Sequence, residues 1–283
     1  MKPCSVLPVA VLASILGVGC TDWTFDLDEC GRTCGEGPFY LVDQLEFVVE
    51  TEDGALNGFD LDDNLNDCET EDGTAADGTP GIDNQFGAIW DVLPDAVATV
   101  LPVALEGSLR SGAMMMVVEV VAPDAEDGPV GLVLREGDGD VLVGAGGRPL
   151  SGQTIGLVGD ENILGTAEFT DREDGTLHTS GLNLTMKLEY VDTQVSMPVV
   201  RGRGTFTPDG EGGLALELGG AVPLDDVMEV VAGLGGDGDA NIRAALEALL
   251  PLLVDVRTRE DGACDALSGA FRGHAVPIHL FEP

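Results

Sequence analysis

The stretch from Asn57 to Gln85, which we call the acidic loop, is the part of this chain best suited to metal binding. Its sequence is NGFDLDDNLNDCETEDGTAADGTPGIDNQ, with nine carboxylates, four glycines and one cysteine in twenty-nine residues. Carboxylate, amide and carbonyl oxygens are the ligands that Ca²⁺ prefers, usually six to eight of them together. The composition of the acidic loop therefore favours a calcium site.

The spacing of these residues predicts two sets of calcium ligands. Counted from Asp60, they fall at positions 1, 3, 5, 7 and 12 of an EF-hand-like loop, although Leu65 stands where an EF-hand has glycine. The first set is Asp60, Asp62, Asn64, Asn66 (through its carbonyl) and Glu71. A second set surrounds a turn shaped by Gly78, Pro80 and Gly81, and comprises Asp77, Asp83 and Asn84.

Electrostatic repulsion within the acidic loop gives a separate reason to expect a cation. Two carboxylates a few ångströms apart repel each other by about 1 kcal/mol even in water-like surroundings. A bound Ca²⁺ offsets that repulsion, and millimolar extracellular calcium fills a weak site with a Kd of about 10⁻⁴–10⁻³ M. The alternative is a solvated, turn-rich loop whose charges are screened by salt.

The N-terminal residues predict export and a lipid anchor. Residues 1–19 place Lys2 before an apolar run that is too short for a membrane span of about 20 residues and fits a signal peptide. The end of that run, Leu16 to Cys20, resembles the lipobox of bacterial lipoproteins, with Gly17 where an aliphatic residue is usual. We expect Cys20 to be lipidated and to attach the chain to a membrane, with ordinary cleavage nearby as the alternative. Residues 20–38 would be the tether, and an outer-membrane or cell-surface location is expected.

Four cysteines follow Cys20, and an even number in an exported chain indicates two disulfides with three possible connectivities. They are Cys30, Cys34, Cys68 and Cys264. We favour a local Cys30–Cys34 pair and a long-range Cys68–Cys264 pair. A zinc site made from the same residues is disfavoured, because only one pair is closely spaced and no histidine lies at ligand spacing from it.

The net charge excludes one class of partner. The chain has a formal charge of −38 at pH 7. A field of this sign repels phosphate backbones, so nucleic-acid binding is not expected. It favours cations or basic partners, and the sequence does not identify a protein or glycan partner.

Beyond the acidic loop, the sequence predicts a mainly β fold over residues 39–283. Short apolar segments recur every 8–12 residues between turn signals, which is typical of an antiparallel β-sandwich or open barrel. Asp-Gly pairs at many of these turns supply the positive φ of tight hairpins. The MMMVVEVV run beginning at Met114 predicts a central buried strand.

A few short helices are expected to pack against these strands. Helical periodicity follows the acidic loop on either side of Pro94, ending near Gly112, and it returns in residues 224–256. The chain then closes in a last strand that contains Ser268, His274 and His279. If Cys264 meets Cys68, this last strand lies beside the acidic loop.

No established catalytic motif is found in the sequence. There is neither a G-x-S-x-G nor an H-E-x-x-H pattern. The alternative function is an exported hydrolase that uses either a pair of carboxylates or a carboxylate with His178, His274 or His279, and Ser268 could serve as the nucleophile of the histidine version. We expect instead a non-catalytic structural or binding module.

The order of these motifs resembles uncharacterised exported lipoproteins of myxobacteria-like bacteria. The residues that carry the resemblance are GFDLD from Gly58, Cys68, DGTPGIDNQ from Asp77, GGAVP from Gly219 and CDALS from Cys264. The resemblance spans residues 39–275. It implies export and a β domain organised by calcium and disulfides, and it implies no reaction.

Overall fold

Alternating apolar and polar residues form the strands in the computed structural model. It describes residues 38–63, 68, 70–93, 95–121, 131–159, 163–173, 176–190, 193–234, 240–259 and 262–281. The predicted signal peptide, Cys20, Cys30 and Cys34 lie outside these residues, as do Asn64 and Asn66. In Leu214–Pro223, Leu214, Leu216 and Leu218 are buried while the residues between them are exposed, as the period of two in a strand requires.

Eleven strands and four α-helices are described. The strands are β1 (Phe39–Phe47), β2 (Gly73–Thr74), β3 (Pro80–Ile82), β4 (Met116–Val121), β5 (Gly131–Asp138), β6 (Thr154–Leu157), β7 (Ile163–Glu173), β8 (Thr176–Tyr190), β9 (Thr193–Pro208), β10 (Leu214–Pro223) and β11 (Ala266–Leu280). The helices are α1 (Gln85–Ala88), α2 (Asp95–Ser111), α3 (Leu224–Leu234) and α4 (Ala240–Leu249), with short 3₁₀ turns at Trp90–Val92 and Leu250–Leu252.

Eight of the strands close into an antiparallel barrel. Their order around the barrel is β1-β4-β5-β7-β8-β9-β10-β11. The ring closes where β11 pairs with β1, over nearly the whole length of β1. The prediction of a mainly β fold with a few short helices is therefore confirmed, with the barrel as its architecture. Closure removes the two free edges that an open sheet would leave.

The barrel interior is filled by side chains from all eight strands. They include Tyr40, Val118, Leu134, Leu184, Phe206 and Leu216, each less than a tenth exposed. Helix α2 adds Leu105 and Leu109 to this core, and it contacts both β1 and β8, which lie opposite each other in the ring. This helix therefore closes one end of the barrel.

The MMMVVEVV run is apolar except for Glu119, which pairs with Arg135, because both faces of β4 are covered. Met116, Val118 and Val120 point into the barrel core. Met115 and Val117 point outward and pack against Ile155 of β6, a strand that pairs with the ends of β5 and β11 outside the ring. The prediction that this run forms a buried strand is confirmed.

The remaining helices form an outer layer over the start of β11. Leu246 and Leu250 pack with Ile89, Leu93 and, from the barrel, Leu267. Among the described residues, no helix combines the length and the apolar character needed to cross a bilayer.

Candidate metal centre

The acidic loop leaves the barrel after β1, lies on its outer surface over β10 and β11, and returns at α1. Phe59 packs directly on Gly219, where an added Cβ would lie 2.5 Å from a ring carbon. Leu61 is buried in a small apolar cluster with Ala221 and Ala266. Two apolar side chains of this acidic segment therefore dock it on the barrel, and the absence of a side chain at Gly219 makes room for one of them.

A disulfide joins the middle of the acidic loop to the segment that precedes β11. Cys68 and Cys264 are bonded, with their Cα atoms 5.9 Å apart and a sequence separation of 196. The predicted long-range pair is thus confirmed. It places the acidic loop beside the last strand, as expected if these two cysteines meet.

Asp83 is the deepest carboxylate of the acidic loop. The backbone N–H of Asp83 donates to the carbonyl of Phe59 at 2.9 Å, and the N–H of Leu61 donates to Oδ2 of Asp83 at 2.6 Å. The side chain is 1 % exposed, and its other oxygen, Oδ1, is buried with no hydrogen-bond donor. A buried acceptor without a partner costs about 1–3 kcal/mol, and more when it is charged.

Asp83 lies beside two further carboxylates. One oxygen from each of Asp60, Asp62 and Asp83 lies within 4.8 Å of the other two. Asp60 is held in place by the N–H of Asp63, which donates to its Oδ1 at 2.7 Å. Asp63 has a φ of +61°, and Arg203 of β9 donates to its Oδ1 at 2.6 Å. The first limb of the acidic loop is therefore fixed with two carboxylates facing Asp83.

Burial and neighbouring charges raise the pKa of the Asp83 carboxyl. Burial is the largest cause and brings the pKa of Asp83 to about 8, against the opposing effect of the Leu61 hydrogen bond and with help from the charges of Asp62, Asp255 and Asp72. Burial likewise raises the pKa of Asp255 to about 6, although Ser268 hydrogen-bonds to it. Burial therefore favours the neutral form of Asp83, and a cation bound here would compete with the proton and favour the ionised form.

The spacing of the three oxygens suits a hard divalent cation. Calcium binds oxygens at 2.3–2.6 Å, so two of its ligands are separated by at most about 5 Å. Oxygens within 4.8 Å of one another meet that limit. Water and nearby carbonyl groups would complete a coordination number of six to eight.

The structure thus brings together members of both predicted ligand sets. Asp60 and Asp62 come from the first set and Asp83 from the second. Glu71 and Asp77 are exposed, and Oδ1 of Asp77 accepts the N–H of Thr79 at 2.9 Å in a turn. A calcium-binding role for Glu71 and Asp77 remains a prediction, and Asn64 and Asn66 lie outside the described residues.

Asn84 has a structural role. Its Oδ1 accepts the N–H groups of Gly87 and Ala270 at 3.1 and 3.2 Å. Its Nδ2 donates to the carbonyls of Val48 and Asn57 at 3.0 and 2.9 Å. These four bonds cap α1 and join it to β11, to Val48 directly after β1 and to the start of the acidic loop at Asn57. We therefore leave Asn84 out of the proposed ligand set.

No family model, curated protein or solved structure matches this chain. Its function must therefore be argued from the site itself.

The sequence did not point to Asp255 as part of this region. Asp255 is 3 % exposed, and it accepts the N–H of Ser268 at 2.8 Å and also the hydroxyl of that serine. The Ser268 hydroxyl oxygen accepts the N–H of Gln85 at 2.8 Å, at the start of α1. The only available signal was a single aspartate in the apolar segment LLVDV, whose pairing with β11 a sequence pattern does not reveal.

The residues of the alternative hydrolase do not form a Ser–His pair in the described part of the chain. Ser268 is 0 % exposed and bonds to Asp255. His274 lies between two carboxylates instead: its Nδ1 is 2.7 Å from Asp43 and its Nε2 is 2.8 Å from Asp209. Ser268 and His274 are therefore engaged in separate contacts, and they do not form a nucleophile–base pair.

Proposed function

We propose that this chain is a non-catalytic, calcium-stabilised β-barrel module in which Asp60, Asp62 and Asp83 bind one Ca²⁺. The observation that carries the proposal is the buried, partnerless oxygen of Asp83 beside two other carboxylates. Burial disfavours the ionised form of Asp83, and a bound metal supplies the pairing that a buried charge requires. A divalent cation supplies the missing partner and offsets the mutual repulsion of the three carboxylates.

The position of these ligands supports a stabilising role for the ion. Asp60 and Asp62 lie on the limb that leaves the barrel, and Asp83 lies on the limb that returns to it. An ion shared between them joins the two ends of the acidic loop, alongside the Cys68–Cys264 bond. Both cross-links hold the loop against the barrel, which accords with a structural or binding module.

We place this module outside the cytoplasm, anchored in a membrane by a lipid at Cys20. A disulfide persists in oxidising compartments, and weak calcium sites are filled where calcium is millimolar. Mass spectrometry of the purified chain tests the anchor directly. A mature N-terminus at an acylated Cys20 is expected, and an unmodified cysteine there would exclude it.

Thermal melting tests the calcium site. In 150 mM NaCl, 5 mM CaCl₂ should raise the Tm of the wild type relative to EGTA by about 2–8 °C. A ligand at 5 to 50 times its Kd stabilises by about 1–2 kcal/mol, and 1 kcal/mol corresponds to about 2–4 °C for a chain of this size. The variant Asp83→Asn should not respond to calcium, because the neutral amide removes the negative charge that binds the ion.

The matched control is Asp77→Asn, which removes one exposed carboxylate from the same acidic loop. It should respond to calcium as the wild type does, because Asp77 lies outside the proposed ligand set of Asp60, Asp62 and Asp83. An asparagine oxygen still accepts the Thr79 N–H, so the turn is kept. Equal responses of Asp83→Asn and the wild type, or no response of the wild type, would overturn the proposal.

A further inference from the structure

A second candidate site lies in a cleft away from the metal centre. The cleft has a volume of about 550 Å³, within the size range of small-molecule sites. Its walls are the second half of β1, the face of α2 around Glu106, the Trp90 turn and the turn at Gly146–Pro149. Three separate parts of the fold therefore meet β1 around one cavity.

The deepest charged group in the wall of this cleft is Asp43. It is 7 % exposed, and it stands at an irregularity of β1 where the register with β11 shifts between Val42 and Gln44. Such bulges re-aim a side chain and are frequent beside functional sites. Oδ1 of Asp43 contacts His274, and no residue in the described part of the chain donates to its Oδ2. A nearly buried carboxylate thus borders the cleft with one oxygen available.

A chain of hydrogen bonds fixes the orientation of that carboxylate. His274 bridges Asp43 and Asp209 at 2.7 and 2.8 Å. Asp209 is itself held by the N–H groups of Glu211 and Gly213, which donate to its Oδ1 at 2.6 and 2.9 Å. The β9–β10 turn therefore positions Asp43 through His274, and less reorganisation is needed when a ligand binds.

The apolar wall of the cleft is aromatic. Phe47 and Trp90 both line it, and their ring centroids are 5.5 Å apart. Phe86 and Phe271 pack behind Phe47 at 5.1 and 4.9 Å, which holds both lining rings in place. Aromatic faces attract organic cations as well as apolar groups.

The other charged groups at the cleft fit the same ligand class. Glu46 adds a second carboxylate to its lining, and the carboxylate of Glu106 is paired with Arg110. Arg110 is engaged, because it pairs with Glu106 and donates to the carbonyl of Gly147 at 3.1 Å. Arg148 is exposed at the rim. The net charge of −38 further raises the local concentration of cations around the cleft.

We propose that this cleft binds a small organic cation, a primary ammonium on an aromatic or apolar body. The ammonium donates to the free oxygen of Asp43, and the body packs against Phe47 and Trp90. This site is independent of the calcium site, because it shares no residue with the acidic loop.

Titration with 2-phenylethylammonium tests the proposal, with 3-phenylpropionate as its anionic match. The chain has two tryptophans, Trp23 and Trp90. In a Trp23→Phe background the emission therefore reports on Trp90, at the cleft itself. The ammonium should change this emission saturably in 150 mM NaCl at pH 7, and the carboxylate should bind at least tenfold more weakly.

Substitution of the carboxylate completes the test. Asp43→Asn should weaken binding of the ammonium at least tenfold, whereas Asp138→Asn, at an exposed carboxylate at the end of β5, should leave the Kd within twofold. If Asp43→Asn fails to fold, the proposal is still tested by the Kd values of the ammonium and of the carboxylate, both read from Trp90 emission in the chain that keeps Asp43. No saturable change in Trp90 emission, or equal or tighter binding of 3-phenylpropionate, would overturn the proposal.

Discussion

The backbone N–H of Leu61 donates to Oδ2 of Asp83 at 2.6 Å, across 22 residues of sequence. This bond joins the departing limb of the acidic loop to the returning limb. It also leaves the second oxygen of Asp83 buried with no donor of its own. Closing the loop therefore places a buried oxygen without a donor beside Asp60 and Asp62, and from this arrangement we infer a bound cation.

Removing the disulfide should destabilise the barrel. Cys68 and Cys264 close a loop of 196 residues. Their joint replacement by alanine should lower the free energy of unfolding by about 2–5 kcal/mol, because the unfolded chain gains the freedom that the cross-link removed. Urea denaturation in the presence of calcium measures this loss. An unchanged denaturation midpoint would show that the cross-link contributes nothing to stability.

Replacing Asn84 by alanine should also be costly. It would leave the carbonyls of Val48 and Asn57 and the N–H groups of Gly87 and Ala270 without their partner. The two N–H groups are buried, whereas the two carbonyls are only partly buried. Buried groups left unpaired cost about 1–3 kcal/mol each, so we expect a loss of about 2–4 kcal/mol. Urea denaturation with calcium chelated measures it.

The matched control for Asn84 is Asn183→Ala. Asn183 is exposed, and its Nδ2 donates to the carbonyl of Gly181 two residues away. Surface changes of this kind usually alter stability by less than about 0.5 kcal/mol. Equal losses in the two variants would contradict a capping role for Asn84.

The periodicity and turn chemistry of the sequence predict much of the fold. The alternation in β10 and the buried, mainly apolar strand β4 both appear as expected. Asp-Gly pairs do form turns with positive φ, as at Gly54, Gly78 and Gly210. These features are set by residues that are adjacent in the sequence, so they can be predicted from local sequence patterns.

The candidate site was predicted only in part, because its ligands meet through long-range contacts. EF-hand spacing grouped Asp60 and Asp62 with Glu71, whereas the bridge between Phe59 and Asp83 brings Asp83 to them instead. The closing β1–β11 pair places His274 opposite Gln44, more than two hundred residues earlier. No local spacing encodes either pairing.

His274 should make stability depend on pH. Burial alone would lower its pKa, but the hydrogen bonds and charges of Asp209 and Asp43 outweigh burial and raise it. Tyr40 is the other titratable group close by, and burial and the charge of Asp209 raise its pKa to about 12. The added stability is therefore fully present below the unfolded pKa of about 6.5 and is lost as the pH rises through the higher folded value.

Urea denaturation from pH 5.5 to 9.5, with calcium chelated, compares the wild type with His274→Gln. The stability difference should be largest below pH 6.5 and should shrink at higher pH. His279→Gln, at an exposed histidine on the same strand, should follow the wild type throughout. A constant difference between His274→Gln and the wild type would exclude a charged His274 as the cause.

The contact between Phe59 and Gly219 should link barrel packing to calcium binding. A Cβ at position 219 would lie 2.5 Å from a ring carbon of Phe59, so Gly219→Ala forces the ring and the adjoining Asp60 to move. Such overpacking costs about 1–3 kcal/mol. The Tm increase produced by calcium should also shrink, because displaced ligands bind the ion less well.

Gly107→Ala is the matched control for Gly219→Ala, since it adds the same methyl group in α2. A Cβ at Gly107 meets no atom within 4 Å. Alanine within a helix is favoured over glycine by about 0.5–1 kcal/mol, so this variant should be slightly more stable and should keep the full calcium response. If Gly219→Ala lowers stability but leaves the calcium response intact, the position of Phe59 does not control Asp60. A reduced response confined to Gly219→Ala shows that the barrel wall holds the metal ligands in place.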